Sequence, residues 1–234
     1  MTNSIIKTTL YAASVLPLKD AKLYRLAYNT ASAERRQKVD KYRFEKDRCL
    51  SLGADMLMRY VLRKENVAHD YVRIKMNAFG KPYFEDINLY FNISHSEDWV
   101  ICAISDAEVG CDIEKIQSAD LHIAEHHFCA EEYLHICQQA SEAKREYLFY
   151  RYWTLKESFI KAAGKGMSIP LNAFRIELGD IICIKQSVDQ RKYSFAEFGD
   201  ISGYCCAVCS VGGQQEASLK VVDYDMLYCD KMEK

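Results

Sequence analysis

With only three prolines and ten glycines among 234 residues, no stretch is loose enough to read as a linker or a low-complexity tract. No apolar run approaches the roughly 18 residues that a membrane-spanning helix requires. An excess of one charge is missing too. Lys and Arg total 31 against 33 for Asp and Glu, which gives no electrostatic footprint for a nucleic acid, so any anionic ligand must be met by a local basic cluster. Met1 to Leu18 lacks the apolar core and cleavage pattern of a secretion signal, and the expectation is a cytoplasmic protein without membrane contact. Cysteine, by contrast, is plentiful at ten. The cysteines are scattered, and Cys102, Cys183 and Cys205 fall inside apolar strand-like runs, so they are read as reduced core residues rather than a disulfide framework.

Hydrophobic residues make up 49% of the chain, enough for one large core or two packed subdomains. Asp47 to Arg63 carries apolar residues at Leu50, Ala54, Leu57, Met58 and Val61, the spacing of an amphipathic helix. Gly80-Lys81-Pro82 reads as a turn. Two short strands follow, Leu89 to Ile93 and Trp99 to Ile104, around a polar break at Ser94 to Asp98. The second half repeats this order with a helix from Tyr147 to Ala163, a Gly164-Lys165-Gly166 turn, a strand-like Phe174 to Leu178 and a closing strand Tyr204 to Val208. Ile101 to Ser105 loosely parallels Cys206 to Ser210. The repeated order predicts an α+β fold of two similar halves in pseudo-twofold arrangement, residues 1–106 and 107–234, with a ligand cleft between them.

Four segments carry chemistry. In Val109-Gly110-Cys111-Asp112-Ile113-Glu114 the acids sit two apart, so on a strand Asp112 and Glu114 share a face and can share a cation, while Cys111 and Ile113 turn into the core. In isolation such a pair is more often a solvated strand edge. In Trp153-Thr154-Leu155-Lys156-Glu157-Ser158-Phe159-Ile160-Lys161, Glu157 and Lys161 lie one helical turn apart, with Trp153 one turn before Glu157. A surface ion pair would explain the two charges alone, but the indole beside them implies a partly buried carboxylate that needs a metal or a proton. Gly80-Lys81-Pro82 with Phe91-Asn92-Ile93-Ser94-His95-Ser96 offers a lysine, hydroxyls and an imidazole as phosphate donors. Upstream, Glu34 to Lys41 is a basic helical stretch in which Arg35 and Lys38 share a face.

The order and spacing of these segments, from about residue 30 to residue 210, resemble the 4'-phosphopantetheinyl transferase superfamily, and most closely its long, two-halved type that activates peptide synthetases. The resemblance implies a Mg²⁺-dependent enzyme that transfers the phosphopantetheine arm of coenzyme A to a serine of an apo acyl or peptidyl carrier protein, releasing 3',5'-ADP. It implies that Asp112, Glu114 and Glu157 hold the magnesium, that Asp112, Glu157 and Lys161 are catalytic, and that Glu157 takes the serine proton directly or through a water. By the same resemblance the coenzyme A phosphates fall to Arg35, Lys38, Lys81, Ser94 and His95, together with Asp112 and Lys161, and Ser51 lies near the adenine. Arginine at position 35 replaces a lysine common in the family, which exchanges a point charge for a bidentate fork. A monomer is expected, because one chain supplies both walls of the cleft. Nothing in the sequence selects among fatty-acid, polyketide and nonribosomal-peptide carriers.

Several other readings are weaker. Gly164-Lys165-Gly166 lacks the remaining positions of a phosphate-binding P-loop and reads as a helix C-cap. His122, His126 and His127 could meet a zinc ion, but no further Cys or His completes a familiar spacing, and a solvated helix face is the expectation. Cys206-Ala207-Val208-Cys209 sits inside an apolar strand, away from the helix N-terminus a redox pair needs. The rival functions are a Mg²⁺-dependent pyrophosphohydrolase of coenzyme A or nucleotides, and an inert module that binds coenzyme A or a carrier. The first lacks the paired glutamates and glycine of the hydrolase box after Arg145-Glu146, and the second would be favoured by loss of an acid or of Lys161.

Overall fold

The structure, a computed structural model, describes residues 5–68 and 72–228. Alternation along four strands dictates its layers. In β1 (Ile6–Ser14) and β5 (Trp99–Ser105), Tyr11, Ala13, Cys102 and Ile104 pack toward the long helix α3 (Glu45–Lys64), whereas Leu10, Ala12, Ile101 and Ala103 face the other way. In β6 (Val109–Lys115) and β10 (Tyr204–Val211) the pattern is mirrored. Val109, Cys111, Ile113, Cys206 and Val208 join Leu10 and Ile101 in a central cluster, while Ala207 and Cys209 pack with α6 (Glu142–Ala163). Strands buried on both faces read as continuous apolar runs, and here the two sheets stack back to back between α3 and α6.

The two halves share one plan. β5 pairs antiparallel with β1 and with β4 (Tyr90–Ser96), and β10 pairs antiparallel with β6 and with β9 (Tyr193–Glu197). Short helices follow the first strand of each half: α1 (Ala21–Thr30) and α2 (Ala33–Asp40), then α4 (Leu121–His127) and α5 (Ala130–Cys137). A small ribbon follows each long helix, β2 (Ile74–Met76) with β3 (Pro82–Phe84), and β7 (Phe174–Glu177) with β8 (Cys183–Gln186). Thr8 Oγ1 lies 3.0 Å from both Ser105 Oγ, at the end of β5, and Ser210 Oγ, one residue before the end of the equivalent strand β10. The α+β, two-halved expectation agrees with this arrangement.

Four details differ from the sequence reading. The polar run Ser94 to Ser96 is part of strand β4, not a break, and the hairpin turns on Glu97, at φ 50°, and Asp98. β10 does not close the fold: β11 (Gln215–Val221) runs parallel to β1 and α7 (Tyr224–Tyr228) follows it, so the C-terminal segment returns to the sheet of the first half. The helix expected from Tyr147 begins at Glu142, where Ser141 Oγ accepts from Lys144 N. Cys183 is exposed on the outer ribbon β7–β8, while Cys102 and Cys205 are buried as expected and every described cysteine is free. At the far end of α6, Gly164 adopts φ 72°, the left-handed C-cap that the turn requires.

Candidate active site

The site lies along the seam where β4 and β6 run side by side, joined by side chains. Asn92 Oδ1 accepts from Cys111 N at 2.8 Å, Ser94 Oγ donates to Asp112 Oδ1 at 2.8 Å, and Ser96 Oγ donates to Glu114 Oε2 at 2.8 Å. Ser94 and Ser96 of β4 thus meet the two acids of β6 one by one, and Asn92 meets the backbone just before them. The period of two that places Asp112 and Glu114 on one face is therefore matched by the same period in Asn92, Ser94 and Ser96. The sequence offers the Ser96 hydroxyl as a phosphate donor and does not single out Asn92, although that spacing on an apolar strand is a legible signal.

α6 supplies the other wall, and Gly110 sets how close it comes. A Cβ at Gly110 would stand 2.2 Å from Ser158 O and 2.3 Å from Ala162 N, so the strand bearing the acids touches the backbone of the helix bearing Glu157 and Lys161. The contact brings Lys161 Nζ to 2.6 Å from Asp112 Oδ1, 3.0 Å from Ser94 Oγ and 3.2 Å from Cys111 O. Burial opposes the charge on Lys161, but Asp112 more than compensates and raises its pKa above the usual lysine value. Burial, and then the nearby Asp112, push the carboxyls of Glu157 and of Glu114 above the usual glutamate range.

On its opposite face α6 is anchored by an ion pair the sequence did not reveal. Lys156 and Glu132 meet at 2.7 Å with side chains 0% and 1% exposed. Lys156 Nζ also donates to Leu171 O and Phe174 O, and Glu132 accepts from Cys129 N and Ile176 N. This closed network fixes α6 against α5 and against the segment leading into β7.

Two cavities flank the seam. One, of about 350 Å³, is lined by Arg35, Lys38, Tyr42, Ser51, Asp55 and His95 among others, so Arg35 and Lys38 of α2 do face one space. Arg35 leans on the first half through Asp55 at 3.4 Å and Ser51 Oγ at 3.4 Å. The other, of about 860 Å³, is walled by Phe79, Lys81, Ile123, Trp153, Glu157, Lys161 and Met167 among others. Lys81 Nζ donates to Val109 O at 3.0 Å and Ala162 O at 3.2 Å, and Asn77 of the same turn donates to Gly164 O at 2.8 Å, so this turn of the first half latches onto the second. Burial lowers the Lys81 pKa to about 8. Gly80, at φ 84°, gives the turn its reversal.

The three acids offer a cation a fitting donor set. Asp112 is 3% exposed, and its Oδ2 is buried without a hydrogen-bond partner. An orphaned carboxylate oxygen, two further acids raised by burial and by Asp112, and oxygen donors throughout suit a hard divalent ion. The three carboxylates are not drawn into one tight group: among the described residues, only His122, Glu125 and His126 place one ligand atom each within 4.8 Å of the others.

Comparison with known proteins places these residues in context. A family model described as 4'-phosphopantetheinyl transferase, N-terminal, matches residues 19–107, and one described as 4'-phosphopantetheinyl transferase superfamily matches residues 108–209. The chain is 36% identical over 194 residues to the 4'-phosphopantetheinyl transferase gsp of Aneurinibacillus migulanus, covering 82% of this chain and 81% of that protein. It is 32% identical over 215 residues to the 4'-phosphopantetheinyl transferase ffp of Bacillus subtilis, covering 90% of this chain and 95% of that one. Among solved structures, the holo-(acyl-carrier-protein) synthase of Thermotoga maritima is similar with a TM-score of 0.37 at 16% identity, over 46% of this chain and 64% of that one.

Proposed function

The chain belongs to the 4'-phosphopantetheinyl transferase superfamily, and from that premise we propose that it transfers the phosphopantetheine arm of coenzyme A to a carrier-protein serine in the cleft between β6, α6 and the β2–β3 turn. The observation that carries this reading is the meeting of Asp112, Ser94 and Lys161 at 2.6–3.0 Å between the two cavities, with Glu157 and Glu114 alongside. The smaller, basic cavity suits the nucleotide phosphates, through Arg35, Lys38 and His95. The larger, with its apolar walls, leaves room for the pantetheine arm and the incoming serine.

Asp112, Glu114 and Glu157 would hold Mg²⁺, which when bound neutralises charge on the pyrophosphate. In the transfer, the serine oxygen forms a bond to the phosphorus bearing the pantetheine arm, and the bond from that phosphorus to the 3',5'-ADP oxygen breaks. Glu157, directly or through a water, accepts the serine proton. Lys161, charged and held in place by Asp112 and Ser94, stands ready to stabilise charge on the transferring phosphate, so catalysis rests mainly on positioning and electrostatics. Ser94, His95 and Lys81 complete the phosphate contacts. We assign residues 1–106 the nucleotide contacts and residues 107–234 the acids and the base, with action as a cytoplasmic monomer.

Chromatography of the nucleotide products tests this reading. Release of 3',5'-ADP that requires an apo carrier supports transfer, whereas equal cleavage of coenzyme A without a carrier would replace it with pyrophosphohydrolysis.

A further inference from the structure

The geometry points to a second metal site, remote in chemistry from the cleft, in which His122, Glu125 and His126 on helix α4 bind a borderline-soft divalent ion such as Zn²⁺. The sequence suggested His127 as the third member of this group. The structure separates it, because His127 and Ile123 line the large cavity beside Glu157, whereas Glu125 joins the two histidines on the exposed side of the helix. One ligand atom from each of His122, Glu125 and His126 lies within 4.8 Å of the other two.

Two contacts orient these groups as ligands. His126 Nδ1 lies 2.7 Å from His122 O. A carbonyl only accepts, so in the neutral ring the proton sits on Nδ1 and the Nε2 lone pair is presented outward, the tautomer that a backbone carbonyl fixes in metal-binding histidines. His122 Nδ1 and Glu125 Oε2 lie 3.1 Å apart. Neighbouring ligands on a tetrahedral ion with bonds of about 2.0 Å are separated by roughly 3.3 Å, so little movement is needed to seat one. The spacing is that of one helical turn, with the His122 and His126 ring centroids 6.3 Å apart.

The donor set selects the ion. Two imidazoles and one carboxylate suit Zn²⁺, Ni²⁺ or Cu²⁺, whereas the all-oxygen acids of the cleft suit Mg²⁺. All three residues are exposed, so the remaining coordination positions are open to water and the ion exchanges freely. A helix of seven residues is too short to be stable by itself, and a ligand spanning one of its turns adds order to the element that walls the cleft through Ile123 and His127.

Calorimetric titration of Zn²⁺ into the full chain tests the site, in a background carrying Cys137→Ser and Cys183→Ser so that the exposed thiols among the described residues do not compete. One equivalent is expected to bind in the micromolar range. Affinity should fall by more than about tenfold in His122→Ala and again in His126→Ala, and by less in Glu125→Gln, while Glu157→Gln leaves it unchanged. Absence of that equivalent, or its persistence in either histidine variant, would overturn the proposal.

Discussion

Replacing Gly110 by alanine tests how the cleft is built, because one methyl group would have to enter the contact between β6 and α6. The added Cβ would meet Ser158 O at 2.2 Å, Ala162 N at 2.3 Å and the Lys161 carbonyl carbon at 2.8 Å, all backbone atoms that no rotamer change can move aside. Restoring ordinary contact requires the helix to retreat from the strand by roughly 1 Å. Overpacking of this kind costs about 1–3 kcal/mol, so the variant should fold with a lowered melting temperature. Its activity should fall much further than its stability. Glu157 and Lys161 ride on α6 while Asp112 and Glu114 ride on β6, and a misplacement of about 1 Å between reacting groups can cost a factor of about 100. Carrier modification by Gly110→Ala should therefore drop by about 100-fold in kcat at a temperature where circular dichroism shows it fully folded. Wild-type turnover by the folded variant would refute the reasoning, since strand and helix would then not have to be in backbone contact to align the site.

The Lys156–Glu132 pair gives a stability prediction: Lys156→Met strands a fully buried carboxylate and should cost about 3–5 kcal/mol, whereas Glu132→Leu with Lys156→Met should recover most of it, as urea melts would report. A double variant no more stable than the single one would contradict this. Glu157→Gln should lower transfer by about 10²–10⁴-fold and Asp112→Ala should abolish it, both with folded protein by circular dichroism, while His126→Ala, assayed with Mg²⁺ and no added Zn²⁺, should turn over normally. Because Lys81 titrates near pH 8, its ammonium is charged below that pH and neutral above it, so the KM for coenzyme A should rise as pH passes through about 8, and Lys81→Arg should flatten the rise. Arg35→Ala should raise the same KM by roughly 10–100-fold with little change in kcat, the loss expected for one charge-assisted phosphate contact.

The sequence carried the local periods well and the long-range pairings poorly. The three-and-four spacing marked α3, and the alternation in Val109 to Glu114 set Asp112 and Glu114 on the site face, because both patterns depend only on neighbouring residues. Ser94 to Ser96 was read as a break because polar residues normally leave a strand. They stay in β4 because Asp112 and Glu114 wait across the seam, some 18 residues further along the chain. The same limit hid the ion pair of Glu132 with Lys156 and the pairing of β11 with β1 from opposite ends of the chain. Cys183 was misplaced because a short run of apolar residues does not reveal that its ribbon lies outside α6.

Intact-mass spectrometry of an apo carrier protein incubated with this protein, coenzyme A and Mg²⁺, alongside a sample containing EDTA, addresses the central claim most directly. The account predicts a carrier heavier by one phosphopantetheine on its serine, with no gain in the chelated sample. A carrier of unchanged mass beside cleaved coenzyme A, or an undiminished gain in EDTA, would contradict it.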